Sequence, residues 1–357
     1  MAAYTAIDDP SAYLKVHLYT GTGSSNAQTF ADTDTDMQPD LVWIKTRGVS
    51  ESHVVFDSVR TNGYYLKADA TSAQIDGSSG GSNLWTSFDS DGFTVDSTGA
   101  RTNTNTYTYA AWCWKGGTTS GKSTSGESIT PSGYSINATS GVGIFAWSGT
   151  GSNGTITHGL GGDVGKGLML VKQLNSTAGW QVYHQGTGAT HTIYLNSSAV
   201  ADDSNTVWND TAPTSSVFTL GTNTGTNASG STYVGYVFAP KQGFSKFGKY
   251  IGNGNADGPF VYTGFRPAWI MVRDIDNEAS WMIMDNKRSG YNPTNNRLYA
   301  HIANAEESAV DRFDILSNGF KVRTGDADTN CSGCDLIYMA FAEQPFVNSE
   351  GVPCNAR

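Results

Sequence analysis

One segment of the chain occurs three times, and this repetition constrains the fold more than any other feature. The sequence "TNCSGCDLIYMAFA" at 329–342 aligns without gaps with "TNASGSTYVGYVFA" at 226–239 and with "TNTNTYTYAAWCWK" at 102–115. Other blocks keep the same order around each copy, such as "LVWIK", "LMLVK" and "WIMVR". A conserved order of blocks within one chain is the signature of repeated structural units. We therefore expect three tandem units of about 100 residues each.

The blocks themselves have the character of β-strands. Most are short, rich in β-branched and aromatic residues, and bounded by Gly, Asn or Asp, which is the pattern of strands joined by turns. The chain holds 42 Gly and only 15% charged residues, and it has little helical periodicity. The sequence predicts an all-β protein of three β-sandwich repeats, jelly-roll or concanavalin-like in type, with at most a turn or two of helix at 304–310.

The unit boundaries follow from the blocks and from the composition between them. We expect repeats at 1–116, 142–242 and 243–346, followed by a tail at 347–357 that has no partner block. The Gly- and Ser-rich segment 117–141 is interpreted as a linker or long surface loop. Only a few residues separate the second and third repeats, so these two should be closely coupled.

The last strand of each repeat alternates bulky and small side chains. Residues on one face of a strand recur at every second position. The bulky set should therefore form core, and it contains Trp112, Trp114, Tyr236, Phe238, Met339 and Phe341. The opposite face is mostly small, which would let another layer pack closely against it.

Cys331 and Cys334 form a C-x-x-C pair inside the third copy. The second copy has Ala228 and Ser231 at these positions, so the turn does not require sulfur. A zinc site needs about four ligands, and neither Cys113 nor Cys354 has a matching spacing. Incidental cysteines, a local disulfide, and metal or redox chemistry all remain open, with the first favoured.

Two acid–base pairs and one acidic stretch are further candidates. Asp57 and Arg60 recur as Asp285 and Arg288, and a carboxylate three residues before a guanidinium typically closes a loop by an ion pair. Asp32, Asp34 and Asp36 alternate in a way that can bind Ca²⁺. No Gly and distal Glu complete such a loop, so a solvated loop is the better interpretation and no metal or other cofactor is expected.

Composition and motifs limit the function classes. The net charge of −10 disfavours nucleic acid and anionic membranes as partners, because both attract basic surfaces. No stretch approaches the length of an apolar membrane span, and the N-terminus does not resemble a secretory signal. The Gly-x-Gly pairs precede no helix and are interpreted as turns. No catalytic motif is present, so we expect a protein that is not an enzyme.

The repeat resembles one found in virion proteins of marine bacteriophages, including cyanophages. The resemblance rests on "VHLYTGTGS", "LVWIKTR", "VVFDSVR", "FDSDGFTV" and "AAWCWKGG", with "YTGFRPAWIMVR" and "YMAFAEQPF" as later copies, and it covers Ala3 to Phe346. Such proteins are described as tail-fibre-like or simply as structural. The resemblance implies a virion protein and brings no catalytic residues with it.

The resulting expectation is a phage virion surface protein, most simply a tail-fibre or receptor-binding component that contacts host surface polysaccharide. Its partners would be other virion proteins and copies of itself, with a trimer favoured, and it would be assembled in the host cytoplasm without membrane insertion. One alternative is a capsid decoration, head-fibre or other purely structural virion protein. A glycan-degrading enzyme is a second, less favoured alternative, since carboxylates paired in space are not visible in a sequence.

Overall fold

The protein is all-β, as the sequence predicts. The computed structural model describes residues 3–31, 35–77, 83–96 and 99–354. Strands account for 40% of the structure and helices for 3%, and the antiparallel sheets do not close into a barrel. Each of three large sheets faces a smaller sheet, and we refer to these pairs as the first, second and third sandwiches.

In the first sandwich, the described residues form nine strands. They are β1 (Leu14–Thr20), β2 (Asn26–Thr29), β3 (Leu41–Thr46), β4 (Val54–Asp57), β5 (Tyr64–Lys67), β6 (Ile75–Asp76), β7 (Ser87–Asp89), β8 (Gly92–Val95) and β9 (Thr108–Trp114). The large sheet has the order β1-β9-β3-β4-β5-β6, and the small sheet has the order β2-β8-β7. A 3₁₀ helix, Pro10–Ala12, precedes β1.

The second sandwich repeats this order of strands. Its strands are β10 (Gly133–Asn137), β11 (Val142–Ser148), β12 (Gly154–Thr157), β13 (Leu168–Gln173), β14 (Gln181–His184), β15 (His191–Tyr194), β16 (Asp202–Asp203), β17 (Val217–Leu220) and β18 (Thr232–Phe238). The large sheet runs β10-β11-β18-β13-β14-β15-β16, and β12 pairs with β17. A second 3₁₀ helix, Val164–Lys166, leads into β13.

The third sandwich has the same arrangement with fewer edge strands. Its strands are β19 (Ser245–Ile251), β20 (Phe260–Tyr262), β21 (Phe265–Asp274), β22 (Met282–Asp285), β23 (Leu298–Tyr299), β24 (Phe313–Leu316), β25 (Gly319–Val322) and β26 (Asp335–Pro345). The sheets run β19-β26-β21-β22-β23 and β20-β25-β24. The α-helix α1, Ala327–Asn330, precedes β26.

In the first and second sandwiches, the two faces of the large sheet bury different cores. In the first sandwich, Ala111 and Cys113 of β9 face the small sheet and pack with Phe93 of β8. Trp112 and Trp114 of the same strand face the opposite way and join a core shared with the other two sandwiches. In the third sandwich, the core between the two sheets is continuous with this shared core.

Three corresponding rings meet in this central core. Trp114, Phe238 and Phe341 occupy the same place on β9, β18 and β26, and their ring centroids are 5.7 to 6.2 Å apart, with every pair close to edge-to-face. Such pairs contribute about 0.5–1.5 kcal/mol beyond the area that they bury. The three large sheets therefore surround one axis and form a single body rather than three independent domains in tandem.

Two local predictions differ from the structure. Part of segment 117–141, interpreted as linker or loop, is strand β10, which pairs with β11 at the edge of the second large sheet. The helical turns expected at 304–310 are absent, and Glu307 instead forms a β-bridge with Arg297. Glu306 forms salt bridges with Arg47 and Arg288, and these tertiary contacts override the weak local helix propensity.

Candidate functional site

The two predicted acid–base pairs lie inside the molecule. Arg60 Nε donates to Asp57 Oδ2 at 2.6 Å, and Arg288 Nε donates to Asp285 Oδ2 at the same distance. Each arginine also donates to a carbonyl five residues back, which closes the turn after β4 or β22. Burial is the largest effect and lowers the pKa of Arg60, but the charges and hydrogen bonds of Asp57 and Tyr236 together outweigh it, and the net shift is upward.

Each pair also receives a donor from a neighbouring sandwich. Tyr236 Oη donates to Asp57 Oδ2 at 2.6 Å, and Trp112 Nε1 donates to Asp285 Oδ2 at 3.0 Å. Tyr236 and Trp112 occupy the same position on β18 and β9. These carboxylates therefore bind two sandwiches together, and their role is to hold the central core rather than to bind a sugar.

In the second sandwich, His184 occupies the position that Asp57 and Asp285 occupy in the other two. It makes a third contact between sandwiches, which joins the second to the third. Its Nε2 lies 3.1 Å from the carbonyl oxygen of Tyr338 in the third sandwich, and its Nδ1 accepts from Gly186 N at 2.9 Å. This pattern requires a neutral ring with the proton on Nε2. Burial lowers the pKa of His184 to about 4, although the Tyr338 carbonyl opposes the shift.

The repeated Asn and Gly-x-Gly motifs form one turn in each sandwich. Asn227 Oδ1 accepts from Thr150 N, and its Nδ2 donates to Ser152 O. Asn103 and Asn330 make the matching contacts in the other sandwiches. A Cβ at Gly149 would lie 2.1 Å from a backbone oxygen, so the turn requires glycine there. These motifs therefore fix the same turn in each sandwich.

Only part of the acidic stretch lies within the described residues. Asp32 and Asp34 lie outside the described residues, and Asp36 is exposed. Within the described ranges, the group of three or more ligand side chains close enough for one metal ion is Asp274, Cys331 and Cys334. The sulfurs of Cys331 and Cys334 are bonded to each other at 2.00 Å, so the two residues form a disulfide. The sequence analysis favoured two incidental cysteines over this disulfide.

An exposed aromatic surface lies on β20, the edge strand of the third small sheet. Phe260 and Tyr262 point outward and are each 46% exposed, whereas Val261 between them points into the core. Side chains two apart on a strand lie about 7 Å from each other on one face. Lys321 of β25 lies directly opposite Phe260. We call Phe260 and Tyr262 with this lysine the β20 platform.

The corresponding strands of the other two sandwiches have no such surface. Pairing with β8, β17 and β25 aligns Tyr262 with Thr29 and Thr157. Thr157 is buried because segment 117–141 covers β12, with Lys122 Nζ donating to Thr157 Oγ1 at 2.7 Å. The third sandwich alone combines an uncovered outer strand with two large aromatic rings, among the three strands compared.

A pocket of about 290 Å³ adjoins the β20 platform. Its walls include Tyr4, Gln242, Lys246, Tyr262 and Thr263. Lys246 Nζ donates to Tyr262 O at 2.8 Å and lies 5.1 Å from the centre of the Tyr262 ring, which holds the ring in place. The site thus combines aromatic faces with amide, hydroxyl and ammonium groups.

A larger pocket of about 340 Å³ lies between the first and third sandwiches. Two charged groups in its wall are engaged: Asp9 accepts from Ser11, and Glu343 pairs with Arg266. Lys15 lies 5.6 Å from the centre of the Phe30 ring. Unlike the pocket beside the β20 platform, this one has no Tyr, Phe or Trp among the described residues of its wall.

Sequence reasoning missed both the β20 platform and the contacts of the ion pairs with other sandwiches. The sequence assigns residues 260–262 only to the third repeat, because the equivalent strands of the other two copies contain no aromatic residue. The β20 platform could have been found by comparing the three copies at this strand. Two aromatics replace small residues on an outer strand, where packing does not require them.

Comparison with known proteins gives one match. A family described as "Domain of unknown function (DUF7483)" matches residues 9–345. Neither the curated proteins nor the solved structures contain a match to the chain. Among the described residues, no helix is both long enough and apolar enough to cross a membrane.

Proposed function

The chain belongs to the DUF7483 family, and we propose that it is a binding protein of a phage virion surface that contacts saccharide on the host cell. The β20 platform is the observation that carries the binding part of this proposal. The virion setting is supported by the resemblance of the repeats to marine phage virion proteins. The function needs no catalytic residue and no cofactor.

The chemistry of the β20 platform fits a sugar. The C–H face of a pyranose ring packs against an aromatic ring, and sugar hydroxyls need nearby donors and acceptors. Tyr262 supplies the ring at the edge of the pocket, and Phe260 extends the aromatic surface along the strand. Gln242 and Lys246 provide polar groups beside them. An extended polysaccharide would therefore lie along β20 with one sugar residue entering the pocket.

Rigid support favours this arrangement. Val261 lies directly opposite Phe320 of β25, and both side chains are buried, so the outward side chains of β20 belong to a strand that is anchored in the core. Binding sites on rigid elements lose little conformational freedom when the ligand arrives. The two aromatic rings are thus held ready for a ligand before it binds.

A binding assay with two sets of variants tests the proposal. Purified protein is incubated with surface polysaccharide from a susceptible host, and binding is measured by glycan array and calorimetry. Phe260→Thr and Tyr262→Thr introduce a residue that the second sandwich has at these positions. Each should weaken binding by at least about 10-fold, since loss of one stacked ring is worth about 1–3 kcal/mol by analogy with base stacking.

Tyr291→Thr is the matched control, because Tyr291 is an exposed aromatic (80%) that belongs neither to β20 nor to the wall of the adjoining pocket. This variant should bind like the wild-type protein. Equal loss in the Tyr291 variant, or full binding by the Tyr262 variant, would contradict the proposal. Release of reducing sugar during incubation would favour the glycan-degrading alternative.

The position in the virion separates the remaining alternatives. Antibody labelling of particles should mark the tail if the protein is a tail-fibre or receptor-binding component. Labelling of the head, without affinity for host cells, would favour the capsid decoration alternative. The proposal includes a homo-oligomer, with a trimer favoured, and light scattering that finds only monomer at micromolar concentration would contradict that part.

A further inference from the structure

A second site lies in the third sandwich, at the turn before β26. Cys331 follows α1, and Cys334 is three residues further along the same turn. Asp274 is the last residue of β21 and is 1% exposed. The carboxylate and the two sulfurs lie within 4.8 Å of one another. The sequence analysis identified the two cysteines but not the carboxylate of Asp274.

The polar contacts of this group converge on one point. Asp274 Oδ2 lies 2.9 Å from Cys331 Sγ and accepts from Asn277 Nδ2 at 2.9 Å. The same Asn277 nitrogen is 3.2 Å from Cys334 Sγ. The other oxygen, Oδ1, accepts from two backbone N–H groups, which fixes the orientation of the carboxylate. Because amide oxygen and nitrogen are interchangeable by a flip, Asn277 can also present an acceptor to this point.

The other two sandwiches have no metal-ligand triad at the same three positions. The first has Thr46, Thr104 and Tyr107, and the second has Gln173, Ala228 and Ser231. In the second sandwich, Gln173 Nε2 donates to Ser231 Oγ at 2.9 Å and joins the same two segments. The fold therefore brings these positions together in the second copy as well as in the third, and the third copy has a carboxylate and two cysteines there.

We propose that the reduced form of this site binds a divalent transition-metal ion of the Zn²⁺ class. The Cys331–Cys334 disulfide takes up two electrons and two protons from a thiol reductant and becomes two thiols. Metal binding then releases both thiol protons to solvent, and the ligands are two thiolates and the Asp274 carboxylate. Asn277 or water takes the fourth position, and Zn²⁺ accepts both thiolate sulfur and carboxylate oxygen as ligands in four-coordinate sites.

The two forms connect the chain differently. The disulfide joins residues only 3 apart, so it closes a very short loop. The metal joins β21 to the turn before β26 across 57 residues. Cross-links that close longer loops constrain the unfolded chain more strongly. The metal-bound form should therefore unfold at a higher temperature than the reduced form without metal.

Cobalt titration provides the test. The protein carries Cys354→Ser to remove the exposed tail thiol, and a phosphine reductant keeps the pair reduced. Co²⁺ should bind once per chain with a thiolate-to-metal absorption band in the near ultraviolet. Asp274→Gln, which introduces the residue of the second sandwich, should weaken binding by at least about 10-fold. Cys331→Ala with Cys334→Ser should abolish the band, although buried Cys113 is still present.

Thermal unfolding with Zn²⁺ gives an independent measurement. Zn²⁺ should raise the unfolding midpoint of the reduced protein, and it should leave the double cysteine variant unchanged. No absorption band in the reduced wild-type protein would overturn the proposal, as would equal Co²⁺ affinity in a folded Asp274→Gln variant. Either outcome is independent of saccharide binding at the β20 platform.

Discussion

Tyr236 in the second sandwich donates its hydroxyl hydrogen bond to Asp57 in the first, 179 residues away along the chain, at 2.6 Å. Both groups are buried. The same oxygen of Asp57 accepts from Arg60, so one carboxylate serves a turn in its own sandwich and a strand in the next. The contact between sandwiches is therefore polar and specific as well as hydrophobic.

Tyr236→Phe should destabilise the protein by about 1.5–3 kcal/mol, because a hydrogen bond to a buried charged group is lost while the ring remains. Urea unfolding followed by tryptophan fluorescence measures this change. Tyr291→Phe is the control, since its side chain is exposed, and it should stay within about 0.5 kcal/mol of the wild type. Equal effects of the two variants would show that the contact with Asp57 contributes nothing.

His184 should make stability fall in acid. Its pKa is lowered to about 4 in the folded protein, compared with about 6.5 in an unfolded chain. Below pH 6.5 the unfolded state therefore binds a proton that the folded state does not, and stability falls as the pH drops from about 6.5 to about 4. The loss from this residue reaches about 3 kcal/mol.

His184→Gln tests this contribution, because glutamine is neutral at every pH in that range. Stability measured by urea unfolding between pH 7 and pH 4 should fall less in the variant than in the wild type. Other buried groups, including His53 and His301, titrate in both proteins, so the difference between the two curves isolates His184. Parallel curves would contradict the assignment.

Gly149→Ala should be destabilising by about 1–3 kcal/mol, since the added Cβ would lie 2.1 Å from Ala228 O and the turn would have to move. Gly48→Ala is the matched control, because its Cβ would meet nothing within 4 Å. Thermal unfolding of both variants gives the comparison. If Gly149→Ala left the unfolding midpoint unchanged, the turn would be able to move away from Ala228 O, which would contradict a fixed turn.

The protein should unfold in one cooperative transition, because the three sandwiches share a central core. Phe238→Ala removes one of the three rings at the axis and should cost about 3–5 kcal/mol. Calorimetry should show one lowered transition rather than loss of the second sandwich alone. Phe260→Thr removes an exposed ring and should leave the midpoint nearly unchanged. Three separate transitions would contradict the shared core.

The sequence predicted the features that depend on local pattern. Alternation of bulky and small residues identified the strand that contains Trp112 and Trp114, because the period of a strand is fixed by its geometry. The all-β class followed from the same kind of evidence. The spacing of Asp57 and Arg60 also indicated an ion pair, because both residues lie in one turn.

The features that sequence reasoning missed depend on contacts between distant parts of the chain. Nothing near Asp57 indicates Tyr236, and nothing near Cys331 indicates Asp274. Segment 117–141 has the composition of a linker, but its strand β10 forms because the edge of β11 offers unpaired backbone groups. Comparing the three copies position by position would have given the missing signal, since the copies differ where their surroundings differ.

The contacts between sandwiches also fix how the protein can change. Tyr236 reaches from the second sandwich to the first, Trp112 from the first to the third, and His184 joins the second to the third, so the cycle is complete with three members. An open array of repeats can gain or lose a member at its ends. A closed ring has no end. Each of the three sandwiches already contacts the other two, so a fourth could not be added in the same way. Diversity in such a molecule has to arise on its outer strands and loops, and β20 is one place where the third sandwich differs from the other two.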